Sequence, residues 1–275
     1  MVLSEYSATL RLGLVRCGNC VEIAVKHAVL NRRAFVQVGF ALGAAFPAVA
    51  SAQTPTLTIE TKFSPQVPPD MLVRLQTWAD AVKGKTAVWW PIIVTSLSSP
   101  GFVTADHLTL SFYRIDNPNV PAITTTGPTI NVDPWKLIVR LNNPDTFGMV
   151  AHELVHVAQS YPQGAGPVWI REGVADYMRY YALLLDDPGR YFDPRGVTER
   201  TGYQPTAGLL DWLEKSHPGA VRQINRAMRE GEDGAEALAE IGGDAPDRLW
   251  RAYLASHPRA ADGAAAARRA RAIQS

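Results

Sequence analysis

The stretch that decides the fold is AHELVHVAQ, residues 151–159, whose periodicity is typical of an amphipathic helix. At about 100° per residue, His152, His156 and Gln159 fall within about 60° of one another on the helix surface. Apolar side chains occupy the opposite side, at positions 147, 150, 154, 157 and 158. The pattern predicts a helix that packs one face against a core and turns the other towards a functional site.

The polar face has the residues of a metal site. Two histidines four residues apart on a helix are neighbours, so both imidazoles can bind one Zn²⁺ ion at about 2.0 to 2.1 Å. Glu153 is rotated about 100° from His152, which suits a general base beside the metal better than a ligand. His152, Glu153 and His156 thus form the H-E-x-x-H motif of zinc peptidases.

A catalytic zinc site usually has three protein ligands and an open fourth position. A metzincin would have Gly and His at the third and sixth positions after the second histidine, where this chain has Gln159 and Pro162. That subclass is excluded. A thermolysin-type site instead takes a glutamate as its third ligand, here expected from a following helix.

The segment WIREGVADYMRYY, residues 169–181, supplies such a glutamate. Glu172 and Asp176 are four residues apart on one face of the predicted helix, beyond a glycine- and proline-containing loop that can turn the chain back. We predict Glu172 as the third ligand and Asp176 as the acceptor of the free N–H of His152. Gln159 either lines the cleft or braces the site through a hydrogen bond.

Strand patterns come first in the chain. Residues 56–63 and 107–115 alternate apolar and polar side chains, and residues 127–134 form a shorter candidate strand. The proline- and threonine-rich segment at residues 116–127 suits a loop or an edge strand.

Helical patterns dominate the rest. One long helix is predicted between the first two strands, from Asp70 to near Gly84. Later helices are predicted near residues 144–160, 168–185, 205–216, 218–230 and 246–255. This order predicts an α+β protein with a small N-terminal mixed sheet and a long helix, followed by a mostly helical C-terminal part.

The start of the chain has the pattern of an export signal. Arg32 and Arg33 precede an apolar run at residues 34–50, and small residues up to Ala52 offer a cleavage site. The paired arginines resemble a twin-arginine signal, with the general export route as the alternative. We expect an N-terminal extension with this signal, one zinc metallopeptidase domain and a frayed or disordered tail, at residues 1–52, 53–260 and 261–275.

Composition and the absence of other catalytic motifs argue against several other function classes. The 27 basic and 26 acidic residues give a net charge of +1, without the basic footprint of a nucleic-acid-binding protein. No G-x-S-x-G motif occurs, and Cys17 and Cys20 both precede the expected cleavage site, which disfavours serine and cysteine peptidases. We expect a secreted or periplasmic protein without stable membrane association after signal cleavage.

Four stretches resemble the basic secretory protein peptidases of plants and bacteria, a family of thermolysin-like zinc peptidases, or gluzincins. The resemblance covers about residues 59–256. The four stretches are HELVHVAQ (152–159), WIREGVADYMR (169–179), TGYQPTAGLLDWLE (201–214) and LWRAYLASHP (249–258). The resemblance implies a zincin-like fold with the active-site cleft between the sheet and the helical part, one catalytic zinc ion, secretion and peptide-bond hydrolysis.

The same resemblance implies His152, His156 and Glu172 as zinc ligands and Glu153 as the catalytic acid and base. The main interpretation is a secreted zinc endopeptidase acting on a peptide or protein substrate. Tyr203 is the candidate second donor to the oxyanion, with packing at the start of the next helix as its alternative role. The competing functions are a zinc amidase or aminopeptidase on a small or cell-wall peptide, and a catalytically silent metal-containing binding protein.

Overall fold

The computed structural model describes residues 54–125, 127–183 and 202–256, and the backbone of residues 16–17 and 20–21. The apolar run and cleavage site of the expected export signal lie outside the described residues, as does the expected C-terminal tail.

The chain forms two units, Met1–Ser51 and Ala52–Ser275. In the first unit, strands β1 (Arg16–Cys17) and β2 (Cys20–Val21) pair in an antiparallel arrangement.

The second unit contains a mixed sheet. Its strands are β3 (Thr58–Phe63), β4 (His107–Phe112), β5 (Ala122–Thr125) and β6 (Thr129–Val132). The spatial order is β3-β4-β6-β5, with β3, β4 and β6 parallel and β5 antiparallel to β6 at one edge. The edge strand β5 lies in the segment predicted as a loop or an edge strand.

One face of the sheet packs against the core. Leu108, Leu110 and Phe112 alternate along β4 and are fully or almost fully buried. The long helix α1 (Pro69–Ser96) covers this face, and its Trp78 ring meets the ring of Phe112 edge-on at a centroid distance of 6.1 Å. The alternation that predicts the strand is therefore the pattern that buries it.

The predicted end of α1 near Gly84 is wrong, because the helix continues to Ser96. Trp89, Trp90 and Ile93 are all buried, so the same helix face goes on packing for three more turns. This burial outweighs the low helix propensity of Gly84 and the backbone hydrogen bond lost at Pro91.

Helices make up most of the remaining chain, which confirms the predicted α+β class with a mostly helical C-terminal part. The helices are α2 (Pro134–Ile138), α3 (Asp145–Gln159), α4 (Val168–Tyr177), α5 (Tyr203–Ser216), α6 (Ala220–Arg229), α7 (Gly234–Gly242) and α8 (Pro246–Ser256). One turn of π-helix, Met178–Ala182, continues directly from the end of α4. Among the described helices, none has the length and apolar character needed to cross a membrane.

Helices α4 and α5 approach each other very closely. A Cβ atom at Gly173 would lie 2.3 Å from Cγ2 of Thr206, a distance that no side chain could tolerate. Both residues are buried. Gly173 therefore allows the contact that sets α5, and with it Tyr203, beside α4.

Arg229 on α6 ties the C-terminal ends of α1 and α3 together. Its Nε donates to the carbonyl of Gln159 at 3.0 Å and its Nη1 to Oγ of Ser99 at 2.7 Å. The carbonyls of Leu97 and Ala158 accept further N–H groups. Burial lowers the pKa of Arg229 to about 10, so the guanidinium remains charged at neutral pH and stabilises the negative end of the α3 dipole.

Lys136 on α2 anchors the loop that leads into β5. Its ammonium donates to the carbonyls of Ile115, Asn117 and Val120 at 2.8, 2.6 and 3.1 Å. Asp133 lies 3.2 Å from the same nitrogen. The lysine thus binds three carbonyls and a carboxylate, a set of oxygen atoms that needs a positive charge at its centre.

We expect Lys136→Met to lower the free energy of unfolding by at least about 2 kcal/mol, because three carbonyls and a buried carboxylate lose their cationic donor. Urea unfolding followed by circular dichroism measures the change. Lys215→Met is the matched control, since Lys215 forms an exposed pair with Asp211 and its loss should cost about 0.5 kcal/mol or less. Equal effects of the two substitutions would contradict the anchoring role.

Candidate metal centre

Three side-chain atoms from α3 and α4 converge on one point. Nε2 of His152 lies 3.1 Å from Nε2 of His156, and both lie close to Oε2 of Glu172, at 3.2 and 3.3 Å respectively. All three side chains are largely buried. The sequence places these residues on two helices, and the fold brings their polar faces together.

His152 is oriented by Asp176, one turn beyond Glu172 on α4. Nδ1 of His152 and Oδ1 of Asp176 are 2.7 Å apart, and both groups are buried. Because an ionised carboxylate only accepts hydrogen bonds, Nδ1 must carry the hydrogen. In the neutral imidazole, Nε2 of His152 then presents its lone pair to the point of convergence.

Gln159 orients the second histidine in the same way. Its Oε1 lies 2.7 Å from Nδ1 of His156, and its Nε2 donates to the carbonyl of Arg171 at 2.9 Å. The carbonyl of Arg171 fixes which end of the amide faces the imidazole, since a carbonyl can only accept. Nε2 of a neutral His156 therefore also presents a lone pair. Gln159 braces His156 and also lines the cleft.

With both imidazoles neutral, two nitrogen lone pairs and a carboxylate oxygen would face one another without a hydrogen between them and repel, so the arrangement favours a bound cation, either a proton or a metal ion. Atoms bound to a tetrahedral ion at about 2.0 to 2.1 Å are about 3.4 Å apart, close to the separations seen here. His152, His156 and Glu172 are accordingly close enough to bind one metal ion.

The pKa shifts of His152 and Glu172 also favour a cation at this site. Burial lowers the pKa of His152, but hydrogen bonds to Asp176 and Glu172 outweigh this and raise that pKa to about 10. Burial raises the pKa of Glu172, yet hydrogen bonds to His152 and His156 hold it well below its usual range. The two carboxylates therefore attract positive charge strongly, and a bound metal ion would take the place of the proton on His152.

Glu153 faces the edge strand β5 instead of the two histidines. Its Oε2 accepts hydrogen bonds from the backbone N–H of Thr124 at 2.7 Å and from Oγ1 of Thr124 at 2.8 Å. The same hydroxyl lies 2.9 Å from the carbonyl of Glu153, and with one hydrogen it donates to one of the two acceptors at a time. Within the described residues, Oε1 of Glu153 has no hydrogen-bond partner.

Thr124 is absent from the residues that the sequence points to. It is separated from Glu153 by 29 residues, and no helical or strand periodicity relates the two. The signal that could have found it is the edge-strand alternative in the prediction of a loop or an edge strand at residues 116–127, because an edge strand leaves alternate backbone N–H groups unpaired.

Tyr203 begins α5 and lies beside the metal site. Its ring stacks on the ring of His152 with a centroid distance of 6.0 Å and an interplanar angle of 17°. The backbone φ of Tyr203 is 50°, a left-handed conformation that is costly for a bulky residue. Burial raises the pKa of Tyr203, and the carboxylates of Glu172, Asp176 and Glu153 raise it further, so the phenol stays protonated.

These side chains border a cleft of about 1200 Å³. One wall consists of β5 and the residues before it, and the other of α3, α4 and the first residues of α5. The lining includes residues at the N-terminal end of α3, such as Asn143 and Asp145, and at its C-terminal end, such as Ser160 and Tyr161. The cleft therefore runs along α3 past both sides of the metal site.

Comparison with known protein families assigns the region around the metal site to a family of peptidases. Residues 136–253 match the family model BSP, described as a peptidase of plants and bacteria. The site helices α3 and α4 lie inside the matched region. The match confirms the predicted family, the basic secretory protein peptidases, for the region that contains the metal site. No curated protein matches the chain.

We expect Asp176→Asn to lower the affinity for Zn²⁺, used as the probe ion, by about 10- to 100-fold. The amide oxygen can still accept the N–H of His152, but the negative charge that makes the imidazole a stronger ligand is removed. Competition with a chromophoric chelator measures the affinity. Asp80→Asn, which changes an exposed aspartate on α1, serves as the control. An unaltered affinity in Asp176→Asn would exclude this role for Asp176.

Proposed function

We propose that the chain is an exported zinc-dependent endopeptidase in which Glu153 is the general base. The observation that carries the proposal is the convergence of His152, His156 and Glu172 beside Glu153, inside the region that matches a peptidase family. Two imidazoles and one carboxylate are a donor set that favours zinc, whereas calcium and magnesium favour oxygen ligands alone. Within the described residues, His152, His156 and Glu172 would hold the ion.

When bound, the zinc ion would supply Lewis-acid chemistry, lowering the pKa of the attacking water and polarising the scissile carbonyl. The chain's own residues would move the protons. Oε2 of Glu153 is fixed by Thr124, which leaves Oε1 for the attacking water. Glu153 would take the proton from this water and deliver it to the departing amine.

Tyr203 is the proposed second donor to the oxyanion. Its phenol has no hydrogen-bond partner within the described part of the chain, and the residue lines the cleft and is 54% exposed. Since burial and the neighbouring carboxylates raise its pKa, the O–H remains available to donate. A phenol that is already protonated and close to His152 can stabilise negative charge that develops on the carbonyl oxygen.

The cleft supports the choice of an endopeptidase. Because it passes the metal site on both sides, a peptide chain could extend beyond the scissile bond in both directions. The edge strand β5 forms one wall. The N–H of Thr124 on this edge is bound to Glu153, and the rest of such an edge can bind an extended peptide through backbone hydrogen bonds. Export is proposed from the pattern of paired arginines, apolar run and small residues at the start of the chain.

We expect Glu153→Gln to reduce the cleavage of unfolded casein at least about 100-fold, because the general base is lost while the three proposed ligands remain. Zinc content, measured by atomic emission, should equal that of the unaltered protein. Glu240→Gln, an exposed change on α7, is the control and should cleave at the original rate. A fully active Glu153→Gln protein would exclude Glu153 as the base, and cleavage that survives zinc removal would exclude the metal.

We expect Thr124→Val to lower kcat about tenfold with little change in KM, since the isosteric side chain removes one of the two donors that orient Glu153. Thr124→Ser keeps the hydroxyl and should restore most of kcat. Steady-state kinetics on a fluorogenic peptide separates the two constants. Loss of activity in both variants would indicate that packing of the threonine methyl group, and not its hydroxyl, is what matters.

A further inference from the structure

Two guanidinium groups line the cleft within the described part of the chain, and their surroundings differ. The side chain of Arg179 is only 11% exposed, pairs with Asp145 and lies over the ring of Tyr180. The side chain of Arg171 is 42% exposed. Arg171 is therefore the cation that a molecule in the cleft can reach.

Arg171 lies on α4 directly before the proposed ligand Glu172. Its Nε donates to Oε1 of Glu172 at 3.3 Å, while Oε2 of the same carboxylate faces the two histidines. The two Nη atoms of Arg171 make no hydrogen bond within the described residues. The guanidinium is thus held at one edge, and its other edge is unoccupied beside the metal site.

A guanidinium is planar and carries five N–H donors in a fixed fork. When Nε binds one carboxylate, the two Nη groups can still bind another planar anion with two parallel hydrogen bonds. The contact with Glu172 restricts the orientation of this fork before any ligand arrives, so less side-chain entropy is lost on binding.

The charges around Arg171 favour a singly charged ligand. Glu153, Glu172 and Asp176 also line the cleft, and their three negative charges exceed the two positive charges of a bound zinc ion, so a doubly charged phosphate is repelled more strongly than a singly charged group. A peptide carboxylate carries one negative charge and has the planar shape that the fork matches. Two sources of such a group exist in a peptide: an acidic side chain and a free C-terminus.

We propose that Arg171 binds a carboxylate of the peptide substrate close to the bond held at the metal centre, so that this protein selects peptides carrying an acidic group there. The inference rests on the proposed function, since it assigns a preference to the same cleft. Arg171 is then a specificity-determining residue, and binding of the carboxylate depends on its unoccupied edge.

The test measures binding to the zinc-loaded Glu153→Gln protein, in which turnover is removed. One peptide pair differs by an internal Glu or Gln, with the C-terminus amidated in both. A second pair contains no acidic residue and differs by a free or an amidated C-terminus. We expect the carboxylate member of at least one pair to bind about tenfold tighter or more, and the pair that shows it identifies the source.

Introducing Arg171→Gln into the same protein should reduce this ratio to about one, and Arg171→Lys should keep only part of it because the fork is lost. Arg226→Gln, which alters an exposed arginine paired with Glu230 on α6, is the matched control and should keep the original ratio. Zinc content is measured in every variant, because Arg171 contacts Glu172. If Arg171→Gln loses zinc, the binding ratio in Arg171→Lys decides the question. A reduced ratio supports the inference, and an undiminished ratio contradicts it.

Equal binding within both peptide pairs would overturn the inference, and so would a carboxylate preference that survives in Arg171→Gln. A loss of kcat on every peptide when Arg171→Gln is introduced into the active protein that retains Glu153, with an unaltered binding ratio, would also overturn it, since that result belongs to oxyanion stabilisation. Failure of the unaltered protein to cleave any peptide would instead contradict the proposed function, while the binding ratio would still report on Arg171.

Discussion

The structure depends on one constraint: a single helix, α3, must bury one face in the core while its other face directs two imidazole lone pairs to the same point. Packing of the apolar face alone would leave the two rings free to rotate. Asp176 and Gln159 remove that freedom, because each accepts the Nδ1 hydrogen of one histidine at 2.7 Å. The direction of both lone pairs is therefore set by hydrogen bonds, and a cation is the group that satisfies them together with Glu172.

The rest of the fold supports the position of α3 relative to α4 and β5. Arg229 binds the C-terminal carbonyls of α3 and joins them to the end of α1. Gly173 lets α5 pack closely on α4, which sets Tyr203 beside His152. Distant parts of the chain thus converge on one helix pair.

Features with a local signal were predictable from the sequence. The helix with His152 and His156, the edge-strand segment and the α+β order all follow from periodicity within a few turns or strands. The end of α1 was not predictable in this way, because burial of Trp90 against other elements overrides the local preferences at Gly84 and Pro91. The contact between Thr124 and Glu153 has no local signal at all, since it exists only where β5 passes α3.

The carboxylates of Glu153 and Glu172 are oriented by the same kind of contact. In each, a neighbour takes up one carboxylate oxygen and leaves the other for the centre: Thr124 binds Oε2 of Glu153, and Arg171 binds Oε1 of Glu172. A freely rotating carboxylate would exchange its two oxygens and weaken both ligation and proton transfer. Because the fixing groups come from β5 for Glu153 and from α4 itself for Glu172, the two carboxylates are oriented independently. The base can therefore be aligned by the cleft wall without disturbing the ligand.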